Sequence, residues 1–143
     1  MADRTSSTIV IAAAPDEIMA VISDFAQYPS WVDSITYAEV LTTSPAGQPD
    51  TVRMVLQHAV ISDDYVLAYD WDTPHAVSWH LVEGKMLKAM DGSYVLTPGQ
   101  GSTTVTYTLA VDVNLPMIGM FKRKAEKTII DGALKGLKKR VEA

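Results

Sequence analysis

Acid–base chemistry in this chain has few places to come from. The residues that alternation along extended segments would turn inward include only two ionisable candidates, His58 and Glu83, each near the end of its segment. As a pair they could move a proton next to a carbonyl; His58 on its own suits a partly solvated rim. His80 falls on the opposite, polar parity, and His75 sits in the turn sequence DTPH. There is no cysteine, which removes disulfides, thiolate nucleophiles and cysteine-held zinc or iron–sulfur groups. No nucleophile–base pair, metal-ligand cluster or phosphate loop can be traced, so neither a metal nor a cofactor is expected.

A second set of residues points to binding. Tyr65, Tyr69, Trp71, Trp79, Tyr94 and Tyr107 share one parity, and apolar walls with a few hydroxyl or indole donors are how sites for hydrophobic ligands are built. The same side chains would also make an ordinary aromatic core. Met54, Leu56 and Met90 extend this face, methionine being an adaptable filler. Trp31, Phe121 and Ile129 would close it from the helices. Gly132 and Gly136, one helical turn apart, each cost about 1 kcal/mol relative to alanine inside a helix. They fit either close packing or room for a ligand.

These residues need a scaffold. The longest uninterrupted helical period runs from Met117 to Glu142, with Phe121, Ala125, Ile129, Ala133, Leu137 and Val141 on one line and charges on the other face. Pro116 suits the first turn, Asn114 a cap, and Lys138, Lys139 and Arg140 the negative end of the helix dipole. Such a helix would be about 40 Å long, enough to cross a domain of this size.

Ahead of it, Thr5–Ala12 reads as a strand. Pro15, Asp16 and Glu17 then open a short helix, and Phe25–Ser34 is expected to form a second one bent near Pro29, with Tyr28 pushed out of helical geometry. From Ile35 the period becomes two. Strands are expected over Thr36–Thr42, Thr51–Ala59, Tyr65–Trp71, Ala76–Glu83, Leu87–Leu96 and Thr103–Val113, joined by hairpin-sized turns. The result is an α+β fold in one domain, residues 1–143: a seven-stranded antiparallel curved sheet around the long helix, with two short helices after the first strand.

Charge divides along the same line. The net charge is −5, yet residues 1–116 hold 4 basic and 14 acidic side chains and residues 117–143 hold 8 basic and 3 acidic. A basic helix on an acidic body suits a solvated face, or transient contact with an anionic membrane surface, and disfavours nucleic acid. The absence of a leader or a long apolar run leads us to expect a soluble, cytoplasmic protein. Nothing fixes its oligomeric state.

The order of elements resembles the helix-grip fold of the START/Bet v 1 superfamily. Local signatures resemble its polyketide cyclase/dehydrase-like branch: A-x-P-x-x-I-M-x-V-I-x-D at Ala13–Asp24, F-x-x-Y-P-x-W at Phe25–Trp31, D-G-S-Y-x-L at Asp91–Leu96 and G-S-T-x-V-T-Y at Gly101–Tyr107. The resemblance spans the chain and implies a site between the long helix and the sheet. It implies several functions: a carrier of a lipid, isoprenoid or polyketide-like molecule, an aromatase/cyclase or dehydrase, or an interaction module of the growth-inhibitory type. The thin acid–base set favours the first.

Overall fold

The computed structural model describes residues 4–58, 61–113 and 119–143, with only the backbone for 119–121. Seven strands form one antiparallel sheet: β1 (Thr5–Ile11), β2 (Ile35–Thr43), β3 (Pro49–Gln57), β4 (Ser62–Asp72), β5 (Ala76–Glu83), β6 (Leu87–Pro98) and β7 (Thr103–Val113). Their spatial order is β1-β7-β6-β5-β4-β3-β2, so the hairpins form a meander and the first strand joins at an edge, as its sequence suggests. Helix α1 spans Pro15–Ser23, α2 Tyr28–Trp31 and α3 Gly119–Glu142. This is the α+β helix-grip architecture. The expected cap Asn114, Pro116, the helix start at Met117 and the strand end at Ala59 lie outside the described residues.

Strand alternation is carried through into burial. Val52, Met54 and Leu56 in β3, Tyr65, Leu67 and Tyr69 in β4, and Val105, Tyr107 and Leu109 in β7 are buried, while Ser78, His80 and Asp91 face water. At roughly 25 cal/mol per Å² of apolar surface, this inner face is the main source of stability.

The stretch between α1 and β2 departs from expectation. Phe25–Gln27 form a single 3₁₀ turn and α2 is only four residues long. Tyr28 keeps helical angles, φ −52° and ψ −44°, despite preceding Pro29. Its hydroxyl donates to the Ile22 carbonyl, and its ring packs 4.7 Å from Phe25 and 4.8 Å from Trp31, centroid to centroid. Tertiary packing therefore overrides the local preference.

Helix α3 is fastened along one side of the sheet. Near its start Glu126, fully buried, accepts from Thr5 Oγ1 at 2.7 Å and from the Val111 backbone N–H at 2.7 Å. Pairing between β1 and β7 runs out at Thr5 opposite Leu109, so the carboxylate continues the ladder where the strand stops. Near its end Lys138 Nζ donates to the Val10 carbonyl at 2.7 Å, and Glu142 accepts from the Ala12 N–H at 2.8 Å. That N–H, followed by Lys138, holds the Glu142 carboxyl below its ordinary range. Among the described residues no helix is long and apolar enough to cross a membrane.

Candidate functional site

Between α3 and the sheet lies a cavity of about 50 Å³. Alternation places its walls. β3 supplies Met54 and Leu56, β4 Tyr65 and Tyr69, β5 Trp79, β6 Met90 and Tyr94, β7 Tyr107, and α3 Ile129. These nine were among the fourteen binding candidates. Ser34, Ala133 and Val32 also line it, together with Tyr28, Ile35 and Leu67. Val32 and Ser34 carry no periodic signal, because they sit in the link between α2 and β2.

The rings interlock. Tyr69 lies 5.6 Å from Trp79, Trp79 lies 5.5 Å from Tyr94 and 5.6 Å from Tyr107, and Tyr94 lies 4.6 Å from Tyr107. Trp79 can lie flat because Gly92 is beneath it; a Cβ there would overlap the indole. This explains the glycine of the D-G-S-Y segment.

Polar atoms in the cavity are mostly phenolic. Tyr28 donates to the Ile22 carbonyl, and Tyr65 Oη lies 3.9 Å from Met54 Sδ. Among the described residues the hydroxyls of Tyr69, Tyr94 and Tyr107 make no hydrogen bond, and all three side chains line the cavity. Burial pushes the phenols of Tyr28, Tyr65, Tyr69, Tyr94 and Tyr107 above their ordinary value, and all but Tyr107 are raised further by neighbouring phenols. They are therefore protonated at neutral pH, and three are donors with no acceptor. Among the described residues the lining contains no histidine, carboxylate, lysine or arginine.

The remaining candidates lie elsewhere. Glu83 is exposed at the end of β5, and its parity fails there because pairing with β4 shifts register between Val66 and Leu67. His58 is half-buried past the end of β3, in an outer space shared with Ile129 and Gly132. Trp71 is half-buried and donates through Nε1 to the Pro49 carbonyl at 2.6 Å. Trp31 is buried with its Nε1 unpartnered and borders a groove between α2 and α3. A Cβ at Gly136 would overlap the Trp31 carbonyl oxygen, so Gly136 is where α3 touches α2, whereas a Cβ at Gly132 would have nothing within 4 Å. The Phe121 side chain lies outside the described residues, as do Met117 and the side chain of Met120.

Two buried carboxylates escaped the sequence reading. Glu126 lies on a line with Ile130 and Leu134 that adjoins the one traced from Ala125, and a lone acid on an apolar line was a usable signal. Asp63 accepts from the backbone N–H groups of Asp64, Lys85, Met86 and Leu87 at 2.8 to 3.1 Å and so fixes the β5–β6 turn. Among the described residues no group of acids and histidines is placed to hold a metal.

Comparison with known proteins places this geometry. A family model described as polyketide cyclase / dehydrase and lipid transport matches residues 2–142. A START superfamily protein from Mycobacterium smegmatis is 26% identical, with 97% of each chain covered and a TM-score of 0.90. A protein from Thermus thermophilus is 21% identical over 98% of this chain and 97% of its own, with a TM-score of 0.82. The Zhui aromatase/cyclase from Streptomyces sp. R1128 is 15% identical over 99% and 94%, with a TM-score of 0.81, a likeness of fold. Among curated proteins no sequence matches closely enough to count as a relative.

Proposed function

Since the chain belongs to the polyketide cyclase/dehydrase and lipid transport family, we propose that it binds a small hydrophobic molecule bearing a carbonyl or hydroxyl oxygen, held between α3 and the sheet. The observation that carries this reading is the set of three buried tyrosines, Tyr69, Tyr94 and Tyr107, which line the cavity and whose hydroxyls have no hydrogen-bond partner among the described residues. A ligand oxygen would give these hydroxyls an acceptor inside the cavity, a hydrogen bond worth about 0.5 to 1.5 kcal/mol net. Apolar rings and methionines around those hydroxyls would hold the rest of the molecule.

The space must grow to do so. About 50 Å³ holds a water or two, whereas sites for drug-sized ligands run to roughly 300–1,000 Å³. Expansion falls to side chains that can swing, Met54 and Met90 on the sheet and Val32 and Ile129 at the mouth. A donor-only lining suits holding an oxygen. A cyclase or dehydrase would also need a base, and His58 and Glu83 would have to move inward to serve as one.

The test is a matched pair of neutral probes, 2-acetylnaphthalene and 2-ethylnaphthalene, titrated calorimetrically. The ketone is expected to bind about tenfold more tightly, the equivalent of one well-made hydrogen bond. A chain carrying Tyr69→Phe, Tyr94→Phe and Tyr107→Phe should lose the difference and keep the hydrocarbon's affinity. If neither probe binds, the reading is wrong.

A further inference from the structure

We propose that the natural ligand is an amphiphile with an anionic head, its apolar part in the inner cavity and its head in the groove between α2 and α3. This rests on the reading that the cavity takes a hydrophobic molecule, and it adds which molecule and by which way in.

Three spaces adjoin in series. The inner cavity reaches Val32, Ser34 and Ile129, and the same three residues wall an outer space of about 310 Å³. That space in turn shares Asp33 and Gly132 with the groove between α2 and α3, which is about 470 Å³. Among the described residues lining both the first space and the second, Val32 and Ile129 are the bulky ones. At the junction of the second and third, Gly132 has nothing within 4 Å of where its Cβ would be, so the helix leaves the path clear. The direction agrees with how α3 is held. Its shortest polar fastenings, Glu126, Lys138 and Glu142, reach β1, β7 or the residue just past β1, while on the opposite side, by α2 and the start of β2 where the opening lies, only the longer contacts of Arg140 to Ser30 and Gln27 tie it down among the described residues.

Positive charge outweighs negative in the groove. Lys127 is paired with Asp131 at 3.1 Å and Lys138 with Glu142 at 2.8 Å. Lys135 and Lys139, which line the groove, are exposed and make no hydrogen bond or ion pair among the described residues. Arg140 meets only neutral partners, Ser30 Oγ at 3.3 Å and Gln27 Oε1 at 3.4 Å. Against these three cations the lining sets the Asp33 side chain and the terminal carboxylate at Ala143, and the helix end adds about half a negative charge. The balance favours an anion. Along the helix, Lys135 and Lys139 stand roughly 9 and 15 Å beyond Ile129, which is the span between head and cavity.

Carboxylate and phosphate share the chemistry the groove offers, two ammonium groups and a guanidinium, so both heads enter the test. The probe is cis-parinaric acid, excited directly, beside its methyl ester, with lauric acid and dodecyl phosphate as competitors. The acid should bind about tenfold more tightly than the ester at low salt, the sum of a few weak surface charge pairs. Added salt should erode that preference. A chain carrying Lys135→Gln, Lys139→Gln and Arg140→Gln should bind acid and ester alike, at the ester's unchanged affinity. Gly132→Leu should slow association of both probes several-fold while leaving the fold intact by circular dichroism. The better competitor identifies the head. Equal binding of acid and ester to the native chain, or a preference that survives the triple substitution, overturns this proposal alone, since the ester would still report an occupied cavity. Failure of both probes to bind overturns the cavity reading, and this one with it.

Discussion

Asp63 and Glu126 on one side, and Tyr69, Tyr94 and Tyr107 on the other, are all polar and all buried, but they differ in one respect. The carboxylates have a donor on each oxygen: Glu126 takes one hydroxyl and one backbone N–H, and Asp63 collects the N–H groups of a whole turn. The phenols have no acceptor among the described residues. The two carboxylates thus complete their polar interactions where strands, turn and helix are joined, and the three phenols leave theirs open around the central cavity. A satisfied buried group stabilises one conformation, while an unsatisfied one raises the free energy of the empty state and so favours a ligand. Gly136 and Gly132 repeat the contrast without polarity, the first closed against Trp31 and the second open.

The largest effect should come from breaking the closed side. Glu126→Ala strands the Val111 N–H and is expected to lower stability by about 3 kcal/mol in urea melts. Glu126→Gln, which can still accept from that N–H, should cost under about 1 kcal/mol; equal losses would mean that charge, not hydrogen bonding, holds α3. Next come the two glycines. Gly136→Ala forces a methyl into the Trp31 carbonyl and should cost about 2 kcal/mol, whereas Gly132→Ala should stabilise by about 0.5 kcal/mol through helix propensity alone. Similar shifts in melting temperature for the two would erase the distinction between them.

The alkaline limit acts outside the neutral range and is spread over five groups. Folded Tyr28, Tyr65, Tyr69, Tyr94 and Tyr107 hold their protons above the usual phenol range because burial disfavours the phenolate. Above about pH 10 the unfolded chain releases protons that the folded chain keeps, so stability is intact below that pH and falls as pH rises through it. Each tyrosine adds about 1.4 kcal/mol per pH unit to the fall. Tyrosinate absorbance from these five residues, read in a Tyr37→Phe background, should therefore appear together with loss of far-ultraviolet circular dichroism. Ionisation of these phenols in a chain that stays folded would mean that the cavity is wet.

Much of this was legible because it is periodic. Alternation alone put Met54, Tyr69, Trp79, Tyr94 and Tyr107 on one face, and a helical period found α3. What failed to show depends on where elements meet. Asp63 looked like a turn residue because the N–H groups it collects from Lys85, Met86 and Leu87 arrive from a hairpin more than twenty residues away. Trp71 has the inward parity but sits at the β4 end, where it finds Pro49 in place of the cavity. The two glycines are indistinguishable until α2 is placed against one of them. Glu126 was within reach, and was missed because only one of two adjoining apolar lines was followed.

The bare strand under Trp79 has an optical consequence. With no side chain at Gly92, the indole rests among Tyr69, Tyr94 and Tyr107 at ring spacings near 5.6 Å, close enough for those phenols to pass excitation to it. The other two tryptophans border different spaces, Trp31 the basic groove and Trp71 the surface beside Pro49. Single-tryptophan versions of the chain would thus carry one lamp per compartment, and the colour and brightness of Trp79 would record whatever comes to lie among the phenols.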